Sequence, residues 1–379
     1  MSVNELYVAG YRSVREIRLP LTRLNVLTGP NGCGKSNLHR ALYLLHMAAT
    51  GRFAPTLAEE GGMPSVLWAG SRKKGPVRLT LRAEFREGIA YEMVCGLPEA
   101  NDLPGSVRLD PLYPGQETTT AFCLDPLFKE ETLAFREGRT AVTLMERGKS
   151  GVHLRDNDGR RVSLPMSLAR SESVLTQIAD PYRFPHLSGL RDRLAGWRFY
   201  HAFRTDMAAP LRQPQVGVFT PVLSHDGTDL AAALQTIREI GDADGLDESI
   251  RDGLNAKLEI AAEEGRFRLR LRTAGLLRPM EAWELSDGTL RYLCLLAALL
   301  SPRPPALLAL NEPEMSLHPD LLLPLANRIV DASHTSQIWL ATHSRPLAEA
   351  ISHASGLPSV TLEKVKGETR VALPVTLPE

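Results

Sequence analysis

The eight residues Gly29-Pro30-Asn31-Gly32-Cys33-Gly34-Lys35-Ser36 fill every fixed position of the pattern G-x-x-x-x-G-K-[ST], and their flanks have the right local character. The apolar run Leu24-Asn25-Val26-Leu27-Thr28 predicts a strand before them, and Ser36-Asn37 opens a helical pattern after them. Glycines in such a loop let backbone N–H groups turn inward around an anion, and the dipole of the following helix favours negative charge there. Lys35 would then reach the β- and γ-phosphates of a nucleoside triphosphate, and the Ser36 hydroxyl would ligate Mg²⁺. A strand, this loop and a helix in succession constrain the chain to an α/β architecture in which a sheet presents the loop.

The remaining composition sets bounds. At 379 residues and 43% hydrophobic content the chain has room for about two domains, or one large domain with insertions. Lys plus Arg and Asp plus Glu number 44 each, so no global field steers the chain towards nucleic acid or membrane. The N-terminus carries no basic segment followed by an apolar stretch. The longest apolar runs, such as Leu293 to Leu300, are far too short to span a bilayer. A cytoplasmic protein without membrane contact is expected. Cys33, Cys95, Cys123 and Cys294 lack C-x-x-C spacing, which argues against a zinc site and a disulfide framework.

Along the chain, Glu5 to Leu19 predicts an early strand pair. Val77 to Cys95 alternates at period two with Val77, Leu79, Leu81 and Ala83. Residues 98 to 126 are rich in Pro, Gly and Thr and read as loops, and Arg155-Asp156-Asn157-Asp158-Gly159-Arg160 reads as a hairpin turn. Helical patterns follow at Leu187 to Leu194, Leu230 to Ile240 and Ile250 to Ile260. None sustains heptads, so no long coiled coil is expected. Apolar strands at Ala306 to Leu310 and Ile338 to Ala341 then alternate with helices, as in a parallel sheet with crossovers. The expected division is a phosphate-loop lobe with a β subdomain over 1–180, a helical insert over 181–275 and a C-terminal lobe over 276–379.

Near that last part stands Glu284-Leu285-Ser286-Asp287-Gly288-Thr289, followed by an apolar helix, so Ser286 and Asp287 suit a helix N-cap. Ser286 precedes Glu312 by 26 residues, and Glu312, at a strand end in Asn311-Glu312-Pro313-Glu314, precedes His343 by 31. Phosphate loop, L-S-x-G helix start, strand-end acid and strand-end His, in that order, resemble the ATP-binding-cassette ATPases. Within them the chain is most similar to the RecF-, OLD- and SMC-like group of AAA-type ATPases. Gly10-Tyr11-Arg12-Ser13, Leu285 to Thr289, Asn311 to Pro319 and Ala341 to Ser344 carry that likeness. It covers both ends of the chain and hardly touches residues 96 to 275.

The resemblance implies a P-loop NTPase head that binds ATP and Mg²⁺ through Gly29 to Ser36 and Asn37. It casts Glu312 as general base, His343 as sensor of the γ-phosphate and Ser316 to His318 as a loop crossing a dimer interface. Ser286, Asp287 and Gly288 would face the γ-phosphate of a second copy, making a homodimer on ATP binding. The family pattern has Asp where this chain has Asn311, which accepts from a metal-bound water without bringing charge. The glutamine joining the lobes is Gln177, because Val174-Leu175-Thr176-Gln177-Ile178 reads as an apolar strand with helical patterns after it, or, in a weaker Pro-Gly context, Gln116. Arg12 either stacks near the nucleotide or lies on an exposed strand edge.

Arg266, Arg268, Arg270 and Arg272 alternate with Phe267, Leu269 and Leu271, placing four guanidinium groups on one face of a strand. Like charges so placed repel unless acids or phosphates neutralise them, so the strand is either a DNA-phosphate contact or a solvated sheet face. Arg72-Lys73-Lys74 with Arg78 reads as a solvated turn, and the aromatic-rich Trp197 to Arg204 as core.

The expected function is ATP hydrolysis coupled to dimerisation, acting on DNA or a protein partner in repair, genome maintenance or defence. A non-enzymatic ATP-gated module is the alternative, and a transporter subunit is disfavoured by the large middle of the chain. With 36 residues after His343, no appended nuclease domain of the OLD type, and so no nuclease activity from this chain alone, is expected.

Overall fold

The computed structural model describes residues 2–71, 77–98, 122, 124–138, 140–148, 151–164 and 168–372. Arg72 to Lys74 and Gln116 lie outside the described residues. The chain forms two compact units, and each gathers segments distant in sequence. Strands and helices are numbered in chain order.

The first unit comprises Met1–Thr22, Pro30–Trp197 and Leu362–Ala372. Its centre is an antiparallel sheet of β1 (Val3–Tyr11), β2 (Val14–Pro20), β4 (Leu79–Phe85), β5 (Ile89–Gly96), β6 (Leu127–Glu137), β7 (Thr140–Gly148), β8 (Gly151–Arg155) and β9 (Arg161–Leu164). The spatial order is β2-β1-β4-β5-β6-β7-β8-β9. The period-two pattern works as it should: Leu79, Leu81, Ala83 and Phe85 are all buried while Thr80, Arg82 and Glu84 between them are partly open. Glu131 on β6 is buried and accepts from Tyr91 Oη at 2.7 Å and from Val174 N at 3.0 Å, with Arg147 of β7 at 3.5 Å. These partners offset the cost of burying the carboxylate.

Around this sheet lie α1 (Lys35–Ala49), α2 (Phe53–Glu59), α3 (Met63–Val66), α4 (Val174–Gln177) and α5 (Pro185–Ala195). The stretch Val174 to Ile178, expected as a strand, is the single helical turn α4. Ser173 caps it by accepting from Leu175 N at 3.1 Å, a local bond that outcompetes extended pairing.

The second unit comprises, among the described residues, Arg23–Gly29 and Arg198–Thr361. Its main sheet runs β10 (Arg198–Tyr200), β15 (Leu307–Asn311), β16 (Gln337–Ala341), β3 (Leu24–Thr28) and β17 (Val360–Val365), all parallel where they pair. Every residue of β15 and β16 is buried, as in a sheet covered on both faces. The later half of β17 belongs to the first unit and pairs there with β18 (Glu368–Val371). A smaller antiparallel sheet holds β11 (Gln215–Val216), β12 (Ala256–Glu263), β13 (Arg266–Thr273) and β14 (Met280–Glu281). The helices are α6 (Leu230–Ile240), α7 (Ala243–Leu254), α8 (Asp287–Leu299), α9 (Leu322–Ala332) and α10 (Arg345–Ser355).

One helical expectation fails. Ile250 to Ile260 is not one helix: α7 stops at Asn255, whose φ of 46° is left-handed, and β12 follows at once. Asn tolerates that cap conformation, and Lys257-Leu258-Glu259-Ile260 then alternates at the strand period. Among the described residues no helix is long and apolar enough to cross a membrane, and no cluster of three or more metal-ligating side chains occurs.

Candidate functional site

The phosphate loop leaves β3 at Gly29, and α1 begins at Lys35. Gly34 has φ of 110°, and a Cβ there would lie 2.2 Å from Thr369 Oγ1, so this position requires glycine on two counts. The Lys35 side chain is buried, with Nζ donating to Pro30 O at 3.2 Å and facing Cys33 Sγ at 3.8 Å. Asn31, Gly32 and Ser36 are exposed. Asn37 braces the loop from the side: its Nδ2 donates to Ser13 Oγ at 2.8 Å, and Ser13 Oγ shares a hydrogen with Thr369 Oγ1 at 2.7 Å. Thr369 gave no signal in the sequence because it sits on the C-terminal hairpin, hundreds of residues away.

Arg12 adopts φ of 47° in the turn between β1 and β2, and its Nη2 lies 2.6 Å from Glu60 Oε2. Glu60 also receives Tyr11 Oη at 3.0 Å and pairs with Arg40. Arg12 is thus held by an acid rather than lying free on a strand edge. Gln177 ends α4, which lies by the C-terminus of α1 and so away from the phosphate loop. Its neighbour Thr176 lies 3.8 Å from the Cβ position of Gly51, beyond the C-terminus of α1. The 15 residues of α1 span roughly 22 Å, at about 1.5 Å per residue, so Gln177 is far from the loop at the other end. Its amide is spent locally, accepting from Ala169 N at 2.7 Å and donating to Ala169 O and Glu172 O.

In the second unit the strand register aligns three strand ends. Asn311 pairs with Ala341, and Ala341 with Leu27, so the residues after β15, β16 and β3 leave from one edge of the sheet. Carboxyl ends of parallel strands are where open α/β sheets place ligands. Glu312 has φ of 49°, and its N–H donates to Ala341 O at 2.8 Å. Its Oε1 lies 2.8 Å from His343 Nε2. Arg291 on α8 is buried and donates through Nη2 to Glu312 O at 3.0 Å, and burial pushes its pKa down. Glu314 builds the turn carrying His343: its Oε1 accepts from Thr342 Oγ1 at 2.6 Å, His343 N at 2.9 Å and Ser344 N at 3.0 Å. Neither Arg291 nor Glu314 was singled out from the sequence; only the adjacency of Glu314 to Glu312 hinted at it.

Asn311 is buried, with Nδ2 2.7 Å from His201 Nδ1 at the end of β10. Its Oδ1 has no hydrogen-bond partner among the described residues. An orphaned buried acceptor of this kind fits a role towards the water shell of Mg²⁺.

The start of α8 is shaped from several directions. Ser286 caps it by accepting from Thr289 N at 3.1 Å. A Cβ on Gly288 would meet Ser316 O at 2.4 Å, so glycine here admits the 316–317 backbone. Asp287 pairs with the buried Arg212 at 2.6 Å. Just upstream, Arg278 grips Glu284 with both nitrogens at 2.7 Å and holds its carboxyl down to about 2.

Residues 24–98 and 149–348 match the family described as "AAA domain, putative AbiEii toxin, Type IV TA system". The chain belongs to this AAA family. Its fold is shared with two solved SMC heads. The crystal structure of the SmcHead bound to the C-winged helix domain of ScpA is 14% identical, with a TM-score of 0.53 over 98% of each chain. The Smc head domain with an extended coiled coil bound to the C-terminal domain of ScpA, from Pyrococcus furiosus, is 13% identical, with a TM-score of 0.51 over 98% of this chain and 96% of that one. No curated protein sequence matches significantly. The P-loop NTPase fold expected from the motifs is thereby established for this member of the AAA family.

The arginine strand of this AAA protein is β13, and acids meet its charge. Arg268 lies 2.9 Å from Glu263, Arg270 2.6 Å from Glu281 and Arg272 2.6 Å from Glu259. Arg266 donates to Pro214 O at 3.3 Å. These acids come from the neighbouring strands β12 and β14, so alternation within β13 alone misjudged the local charge.

Proposed function

We propose that this AAA-family chain binds ATP with Mg²⁺, hydrolyses it, and pairs with a second copy while ATP is bound. The observation that carries the reading is the common edge of β3, β15 and β16, from which the phosphate loop starts and the Glu312–His343 pair extends. Lys35, with the N–H groups of Gly29 to Ser36, would hold the triphosphate, and Ser36 and Asn311 would serve Mg²⁺. The ion, when bound, screens charge on the phosphates. Glu312 would orient the attacking water and take its proton, and His343 would donate to the γ-phosphate. Ser286 to Gly288 would meet the nucleotide of the other copy. Turnover measured alongside oligomeric state, with ATP and with a non-hydrolysable analogue, tests this; no turnover and no ATP-dependent dimer would refute it.

A second reading, an ATP-gated module with little hydrolysis, is favoured by one observation: Asn311 brings no charge to the metal side of the site. DNA as the target takes its support from the motif resemblance, and β13 adds little because three of its four guanidinium groups are paired with Glu263, Glu281 and Glu259. A role in defence takes support from the family description, which names a toxin–antitoxin system. Turnover with and without DNA separates these settings.

A further inference from the structure

We infer that Arg212 is the positioning residue of the α8 start, holding its approach loop and cancelling the charge of Asp287 so that this turn can face a triphosphate. The inference rests on the ATP-bound dimer proposed above. Arg212 lies in a short 3-10 turn, 75 residues before Asp287, and its side chain is 2% exposed. Its Nε donates to Thr205 O at 2.8 Å and Asp206 O at 3.1 Å. Its Nη1 donates to Leu285 O at 2.7 Å, Ala282 O at 3.2 Å and Trp283 O at 3.4 Å. Its Nη2 donates to Asp287 Oδ1 at 2.6 Å. One buried planar fork therefore ties the 205–206 loop to the carbonyls that lead into Ser286 and to the carboxylate one residue beyond it.

The electrostatics explain why a fork is needed here. Asp287 occupies the first turn of α8, where the helix dipole tolerates a carboxylate, but the same turn is meant to approach a polyanion. Arg212 lies in contact with that carboxylate and neutralises it, leaving the N–H groups of the turn as the net donors. Arg278 also braces the preceding turn through Glu284, so what Arg212 supplies alone, beyond its bonds to the carbonyls of that turn, is the counter-charge to Asp287.

The test uses the full chain in a Glu312→Gln background, in which hydrolysis should be slowed and ATP retained. Monomer affinity for a fluorescent ATP analogue and ATP-dependent dimerisation by sedimentation are read for Arg212→Met and for Arg212→Met with Asp287→Asn. Arg212→Met should leave the analogue's affinity within about twofold and weaken dimerisation about thirtyfold or more, the scale for losing the hydrogen bonds of a buried guanidinium to several carbonyls and to the more exposed Asp287. Adding Asp287→Asn should recover about tenfold or more of that loss, because the unpaired carboxylate is gone; a purely structural arginine would show no recovery. Parent-like dimerisation in Arg212→Met, or a double variant no better than the single one, overturns the inference. Should Arg212→Met not fold, Arg212→Lys is read instead: it keeps a cation but loses the fork, and dimerisation equal to the parent's overturns the inference equally. A parent that binds the analogue yet stays monomeric refutes the dimer itself, and a parent that binds no analogue refutes the nucleotide reading.

Discussion

His343 Nε2 lies 2.8 Å from Glu312 Oε1, joining the residues that follow two adjacent parallel strands. Each partner is held by its backbone: Glu312 N–H donates to Ala341 O, and the His343 turn is tied down by Glu314. Glu312 is also in a left-handed conformation that costs a non-glycine residue about 1–3 kcal/mol, a strain that proteins tend to retain where a side chain must be aimed. Replacing Glu312 by Gln should keep ATP binding and slow hydrolysis by roughly 10² or more, the scale of a lost general base. ATP should then trap a dimer on a sizing column; normal turnover in the variant would remove Glu312 from the chemistry.

Lys35→Ala deletes the cation buried within the phosphate loop. ATP binding should be abolished, because a triphosphate then meets backbone N–H groups alone. Calorimetric titration with ATP checks this, and unchanged affinity would dismiss the loop assignment.

Asn311→Asp adds a carboxylate at a buried strand end beside His201. Mg²⁺ should bind more tightly and turnover should rise at low Mg²⁺, read from Mn²⁺ binding by electron paramagnetic resonance and from metal titration of the rate. Weaker metal binding would mean that Asn311 faces no metal shell.

Arg268→Gln combined with Arg270→Gln removes two guanidinium groups already paired with Glu263 and Glu281. DNA affinity and its salt slope should stay those of the parent, with a stability loss of about 0–1 kcal/mol per pair. A salt slope flatter by about two units would instead mean that both contact phosphates.

The Arg278–Glu284 clamp gives a pH dependence with a definite sign. Hydrogen bonding from Arg278 lowers the Glu284 carboxyl from 4.5 to about 2, so the folded state holds the charged form. Its stabilising contribution is complete above about 4.5 and is lost as pH falls from there towards 2. Thermal melts across that window should show Glu284→Gln losing part of the parent's acid sensitivity; identical profiles would show that the clamp carries none of it.

The two ends of the chain were legible because their information is local. Gly34, Lys35, Glu312 and the Ser286 cap are fixed by neighbours a few residues away, through dihedral freedom, strand ends and helix N-termini. Ser173 was legible in principle as a cap, yet the apolar run after it read as a strand because periodicity cannot separate a four-residue turn from a short strand. The break at Asn255 was missed for a related reason: Ile250 and Ile260 continue a helical spacing across a residue that ends the helix.

From the sequence alone came the phosphate loop, the order of the motifs, the parallel strands that frame them and the AAA-type P-loop fold they require. Those features depend on contiguous residues, so spacing records them. Tertiary structure alone decided that Thr369 walls in Gly34, that Glu314 fastens the His343 turn, that Arg212 reaches Asp287, and that Glu263, Glu281 and Glu259 pair with three of the four arginines of β13. Each of these joins positions separated along the chain by a fold the spacing does not encode, and hydrogen bonding and charge pairing act on distance in space.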